Sequence, residues 1–315
     1  MTEPLNPETQ LAVDQLLDEA EALADLEAAM PLYKRALALD PDRSATHYNI
    51  GLVYKYRGAW AQSLHHNRCA ARLCPDDEAA HWNMGIAATA LRDWPAAREA
   101  WRQVGIQIAE GEGPIEQNFG ITPVRLNPDG DAEVVWGRRI DPVRVVINNI
   151  PSPDSGFRAG DLVLHDGAPV GERKHDGHTY SVFNVLELFE ASANSTYEAE
   201  VRARDAADLE ALTTALDAAQ IDHEVWTTNV RVLCKQCSEG TPHEHADDMT
   251  DDTNQARDWP DSHLLGISTT KPEAAKRVLE RWSKRQAGLV TRFVGGAGKD
   301  RLLRFECALE GAGTH

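Results

Sequence analysis

No stretch of this sequence approaches the roughly 18–20 consecutive apolar residues that a membrane span needs, so no transmembrane helix is expected. Positive charge is scarce. The 32 Lys and Arg stand against 50 Asp and Glu, a formal net charge of −18. Such a field repels phosphate backbones, and no compact Lys/Arg patch offsets it, which argues against nucleic-acid binding. The acidity reads first as a solvated surface that aids solubility, and more sharply as steering toward a basic partner. Cysteine is scarce too: five residues, at 69, 74, 234, 237 and 307. An odd number at low density argues against a secreted disulfide framework. Cys69 and Cys74 fall in a helical hairpin and are expected to be small core residues. The opening MTEPLNPETQ has neither a basic n-region nor an apolar h-region, and a cytoplasmic location is the expectation. Catalytic motifs are missing: there is no HExxH, GxSxG or phosphate loop. GGAGKD at 295–300 lacks the spacing that ends in GK[ST] and reads as a loop before a last strand, RLLRFECALE. No nucleophile–base pair declares itself, which weighs against an enzyme.

What is present is enough chain for two or three domains: 315 residues, 42% hydrophobic and 26% charged. A 34-residue period organises the first third. Pro41 and Pro75 are 34 apart, as are Gly51 and Gly85, and the strings HYNIGLVYKYRGAWAQSLHH and HWNMGIAATALRDWPAAREA both read as helix, turn, helix. Small residues recur where two helices would cross closely, at Gly51 and Gly85 and again at Ala29, Ser63 and Ala97. An aromatic follows one turn later at Tyr33 and Trp101, where the middle repeat has Asn67. Only small side chains let antiparallel helices approach, and Pro cannot continue a helix.

These residues resemble the tetratricopeptide repeat (TPR) family over about residues 10–111, in three repeats, 10–43, 44–77 and 78–111, the first with Leu17 in place of the glycine. The resemblance implies a stack of helical hairpins whose first helices line a concave groove. Helical spacing then puts Tyr48, Asn49, Leu52, Lys55 and Tyr56 near that groove, with Trp82, Asn83, Ile86 and Thr89 from the next repeat. Aromatics beside amides suit a peptide, since rings supply contact area and Asn bonds the backbone. A competing reading fills the groove with the chain's own downstream segment. Some family members clamp a partner's C-terminal carboxylate with paired basic residues. Ala79 and Asn83 stand at the expected basic positions of the last repeat, which disfavours such a clamp.

After Glu110 the segment GEGPIEQNFGITP reads as a linker. From 121 to 190, EVVWGRRI, VRVVINNI and DLVLHDG read as short strands between the turn signals NPDG, PSPDSG and HDGAP. The string SGFRAGDLVLHDGAPVG loosely resembles the Gly-Asp strand-turn of PDZ-type or small-barrel domains, and no peptide-binding role is carried over from it. His165, Asp166, His175, Asp176 and His178 cluster in sequence and could bind metal or act in acid–base chemistry; the alternative is that each HDG is a tight turn. Two strand–helix–strand units follow, 196–233 and 262–294. Asp205 is a helix cap, Leu209, Leu212 and Leu216 keep helical spacing, and Pro272 and Gly288 bound the second helix. In series they suggest a ferredoxin-like α+β sandwich.

Between these units lies CKQCSEGTPHEH. Cys234 and Cys237 are spaced to grip one ion, and with His243 and His245 they could close a tetrahedral structural Zn²⁺ site. Asp247, Asp248 or His263 could replace one histidine. A redox CxxC pair and an incidental polar loop are the alternatives. Glu239 and Glu244 lie near, but no substrate pocket is implied. The following ADDMTDDTNQARD reads as a solvated insertion.

The expected architecture is multidomain, α and α+β: a TPR array over 1–111, a β-rich small domain over 112–192 and a ferredoxin-like domain with a Cys/His loop over 193–315. The leading functional expectation is an interaction scaffold or adaptor for a protein or peptide partner, with no nucleic acid and no membrane. An Ala-, Asp- and Arg-rich acidic composition, of the kind found in high-GC bacteria, extends this to an inhibitor or immunity-type partner of a basic protein. The alternatives are a zinc-dependent enzyme whose array recruits substrate, and a regulatory protein that senses a small molecule.

Overall fold

The computed structural model describes residues 6–23, 25–227, 259–286 and 289–295. The chain divides into two compact units: residues 1–119 with 139–144 and 164–167, and residues 120–138, 145–163 and 168–315. Among the described residues no helix is long and apolar enough to cross a membrane.

The first unit opens with six helices: α1 (Pro7–Glu21), α2 (Leu26–Leu39), α3 (Ser44–Tyr56), α4 (Trp60–Leu73), α5 (Glu78–Ala90) and α6 (Trp94–Gln103). Short loops and contact between successive helices make them three hairpins, one in each stretch of the 34-residue period. Local chemistry sets their ends. Asn6, Asp25, Asp77 and Asp93 each accept a hydrogen bond from a backbone N–H of the first turn. α2 and α4 stop one residue short of Asp40 and Cys74, which adopt φ −133° and −132°. The following Pro41 and Pro75 force that departure, because their rings clash with a helical predecessor. Each later hairpin turns on a left-handed residue, Gly58 at φ 66° and, 34 positions on, Arg92 at φ 60°. The turns are closed by the same bonds, Ala59 N–H to Tyr54 O and Asp93 N–H to Ala88 O, both 2.9 Å.

The close crossings lie where the small residues are. A Cβ on Gly85 would stand 2.5 Å from the Trp101 ring, and one on Gly51 would stand 2.6 Å from Asn67 Nδ2. Asn67, which breaks the aromatic pattern, is fully buried; its Nδ2 donates to Ser63 O (2.8 Å), and Ser63 Oγ donates to Gly51 O (2.9 Å). Val13, Leu16, Tyr33, Ile50 and Val53 share the core of the first hairpins. Cys69 is half-exposed and Cys74 exposed, which corrects the expectation of two core residues; Cys74 is exposed as the capping residue beyond the end of α4. The Gly/Pro-rich stretch after α6 is held against the last hairpin. Buried Arg98 donates to the carbonyls of Ala109 (3.0 Å) and Gly113 (2.7 Å), and Ile108 and Ile115 are buried beside it. Arg144, paired with Asp141, donates to Ile115 O (2.6 Å) and stacks 4.7 Å over Trp94.

Five strands, β1 (Ile121–Leu126), β2 (Glu133–Arg139), β3 (Arg144–Ile147), β4 (Leu162–His175) and β5 (His178–Glu190), close a small barrel in sequence order. In a five-strand meander the first and last strands run the same way, so closure is parallel: Val124 pairs with Phe183. Val124, Leu126, Val135, Val145, Ile147, Val163 and Val185 fill the interior.

The remaining elements are β6 (Ser195–Arg202), α7 (Ala206–Ala218), β7 (Asp222–Val225), β8 (His263–Thr269), α8 (Pro272–Gln286) and β9 (Leu289–Gly295). Their sheet has the order β7-β8-β6-β9, with every neighbouring pair antiparallel. β6 and β7 therefore run parallel with β8 between them, and β8 and β9 run parallel with β6 between them. The two strand–helix–strand units interleave. Leu209, Leu212 and Leu216 of α7 pack with Leu279 and Trp282 of α8 against Ala199, Val201, Leu265, Ile267 and Phe293. Trp282 Nε1 donates to Asp208 O at 2.8 Å.

Candidate interaction groove

The residues expected at the groove lie on α3 and α5. Tyr48, Leu52, Lys55 and Tyr56 recur at helical spacing along α3; Trp82, Asn83, Ile86 and Thr89 do so along α5. Tyr48, Asn49, Leu52 and Trp82 are half-buried, and Lys55, Asn83, Ile86 and Thr89 are buried. Tyr56 is 53% exposed.

The buried members of this set meet the chain's own residues. Residues 164–167, a piece of β4 that groups with the array, bring Asp166 to Lys55. Lys55 Nζ donates to Asp166 Oδ1 at 2.8 Å and to Asn83 Oδ1 at 3.2 Å. Tyr56 OH donates to Asp166 Oδ2 at 3.0 Å, and Gly167 N–H donates to Oδ1 at 2.7 Å. Asn83 also bonds the Tyr48 hydroxyl. The ion-pair side chains are 3% and 6% exposed, so both charges have left water and depend on this network. Burial pulls the Lys55 ammonium below its ordinary pKa, and the Asp166 charge opposes that shift. The Tyr56 hydroxyl is pushed up, first by burial and then by the Asp166 charge. Gly167 is the residue that fits next: a Cβ there would stand 3.2 Å from Trp82 Cε3 and 3.8 Å from Ile86 Cδ1.

His165 is fully buried beside this pair. Its Nδ1–H donates to Asp166 O at 2.6 Å, and its own N–H donates to Val143 O at 2.9 Å. Burial, with the charge of Arg139 adding to it, pushes the imidazole down to about 4. His165 and Asp166 belong to the first unit, whereas His175, Asp176 and His178 belong to the second. The latter three form the tip of the β4–β5 hairpin. Asp176 at φ 48° and Gly177 at φ 75° make its two-residue turn, the geometry that Asp-Gly favours. His175 lies 5.2 Å from the Trp136 ring, and Trp136 meets Tyr180 edge-on.

Cys234, Cys237, His243 and His245, with Asp247 and Asp248, lie outside the described residues. His263 is described: it is fully buried, its ring centre 4.5 Å from that of Trp259, and burial lowers its pKa. Among the described residues no group of three or more His, Cys, Asp or Glu is placed to hold a metal ion.

Sequence reasoning missed the histidines of the array. His47 and His81 are 34 residues apart and do the same thing. Each Nε2 lies 3.0 Å from the carbonyl of the preceding inter-repeat proline, Pro41 or Pro75. The repeated strings HYNIG and HWNMG carried that signal. The groove's occupant had no such signal, because Asp166 is an acidic turn residue until its partner is known.

No protein-family model matches the chain, and no curated protein matches it. Among solved structures, the TPR domain of Sgt2 from Aspergillus fumigatus is similar at 22% identity and a TM-score of 0.27. The match covers 32% of this chain and 66% of that one, just under two thirds of its length.

Proposed function

We propose that this protein is an interaction scaffold whose N-terminal TPR-type array presents a half-open aromatic groove to a protein or peptide partner. The observation that carries this reading is the composition of the part left accessible: Tyr48, Asn49, Leu52 and Trp82 half-buried, and Tyr56 exposed, around a core already filled by Asp166. Rings and an amide at such a rim supply contact area and backbone recognition. The net charge of −18 favours a basic partner, an inhibitor's or immunity protein's target among them. Affinity capture from native lysate with the wild type and with the double variant Tyr48→Ala/Leu52→Ala tests the reading. A partner retained by the wild type and lost from the variant supports it; no partner above background overturns it.

The rest of the chain is read as two further domains, 112–192 around the barrel and 193–315 as a ferredoxin-like sandwich. The order β7-β8-β6-β9 with two interleaved strand–helix–strand units supports the latter. A structural zinc held by Cys234, Cys237, His243 and His245 completes the proposal, on the spacing of these donors alone. Metal content with and without Cys237→Ser decides it. Stoichiometric zinc whose loss unfolds the C-terminal region fits a staple, and absence of zinc removes it.

A further inference from the structure

The hairpin of α3 and α4 carries a cluster of imidazoles apart from the groove. His47 Nδ1 and His66 Nδ1 are 3.0 Å apart. His65 meets His66 edge-on at 5.1 Å, and Tyr54 stacks on it at 5.7 Å. Tautomers follow from one neighbour. Pro41 O can only accept, so His47 Nε2 carries the proton, and the Nδ1 of neutral His47 is a lone pair. His66 Nδ1–H must then be the donor across the 3.0 Å gap.

The next repeat shows that His66 is an addition. His81 makes the same Nε2–H bond to Pro75 O with Ala100 at the position equivalent to His66, and His81 Nδ1 has no hydrogen-bond partner among the described residues. The proline carbonyl is thus satisfied without a second imidazole. Its presence in the middle repeat places two ring nitrogens face to face, one of them already aligned by an N–H···O=C bond. That bond is the one metal-ligating histidines ordinarily make through their other nitrogen. Two imidazole nitrogens bound at about 2.0–2.1 Å to one ion stand roughly 2.9–3.4 Å apart at right to tetrahedral angles, which brackets the observed separation. His47 is 7% exposed, His66 half-buried and His65 exposed, so the open side of the pair is the α4 side.

We propose that His47 and His66 form a two-imidazole site for a borderline divalent cation, Zn²⁺, Ni²⁺ or Cu²⁺, with solvent completing the coordination. Binding needs no net loss of protons. His66 gives up its Nδ1 proton and takes one on Nε2, while His47 keeps its bond to Pro41 O. With only two protein ligands the site is exchangeable, unlike a closed four-ligand staple.

The test is Zn²⁺ uptake by the full chain in equilibrium dialysis, wild type against His66→Gln, whose amide can still donate to His47 Nδ1. The wild type is expected to take up one more equivalent than the variant; equal uptake by the two folded proteins overturns the proposal. Should His66→Gln not fold, ¹⁵N-imidazole correlation spectra of the wild type give the answer. Saturating Zn²⁺ must move the His66 proton from Nδ1 to Nε2, and an unchanged tautomer overturns the site. Zinc held by the cysteines is common to both proteins and cancels in the difference.

Discussion

At the scale of single residues, Lys55 and Asp166 dominate the first unit. Each is buried at the centre of a satisfied network, so deleting one strands the other charge. Lys55→Ala and Asp166→Ala are each expected to cost about 3–5 kcal/mol in urea unfolding of the full chain. Replacing both at once with apolar residues of similar volume should cost far less than the sum. His165 adds a dependence on pH. Its folded pKa of about 4 lies below the ordinary value of 6.5, so the unfolded chain binds the proton more readily. The stability it contributes as a neutral ring is complete above pH 6.5 and drains away as the pH falls toward 4. The loss is up to about 3 kcal/mol. His165→Gln should flatten that part of the pH–stability curve, and an unchanged slope between pH 6.5 and 4 would refute the assignment.

At the scale of elements, the hairpin array was the most legible part of the sequence. Pro41, Pro75, Gly51 and Gly85 are local instructions: a proline ends its helix and a glycine admits its neighbour wherever the rest of the chain goes. The two strand–helix–strand units were readable for the same reason, through Asp205, Pro272 and the leucine spacing of α7. Barrel closure was not, because pairing Val124 with Phe183 joins strands far apart in sequence and leaves no periodicity within either. Asp166 was hidden more deeply. Its HDG context is that of a turn, as Asp176 and Gly177 are, and only the fold separates the two. The turns also offer a test. Arg92 holds the left-handed conformation that Gly58 supplies in the previous repeat, and a non-glycine residue there costs about 1–2 kcal/mol. Part of that gain is returned to glycine's freer unfolded chain, so Arg92→Gly should stabilise the protein by roughly 0.5–1 kcal/mol, visible as a raised midpoint in denaturant with an unchanged slope.

At the scale of the whole molecule, charge is the governing property. With −18 spread over 315 residues, attraction for a basic partner acts through solvent and is screened over about 8–10 Å at physiological salt. If such a partner is captured, its association rate should fall steeply between 50 and 500 mM NaCl, while dissociation changes little. A rate indifferent to salt would assign recognition to the aromatic rim alone.

The Lys55–Asp166 ion pair also has a history in time. Lys55 and Asp166 are 111 residues apart in the chain. At a synthesis rate of about 5–20 residues per second, the lysine leaves the ribosome on the order of ten seconds before its carboxylate exists. During that interval the helices around it can form, but their inner face carries an uncompensated cation among Tyr48, Tyr56 and Trp82. For that interval the nascent protein carries a bare cation among its aromatic rings, and the finished one pairs and buries that charge while leaving the rings partly in water.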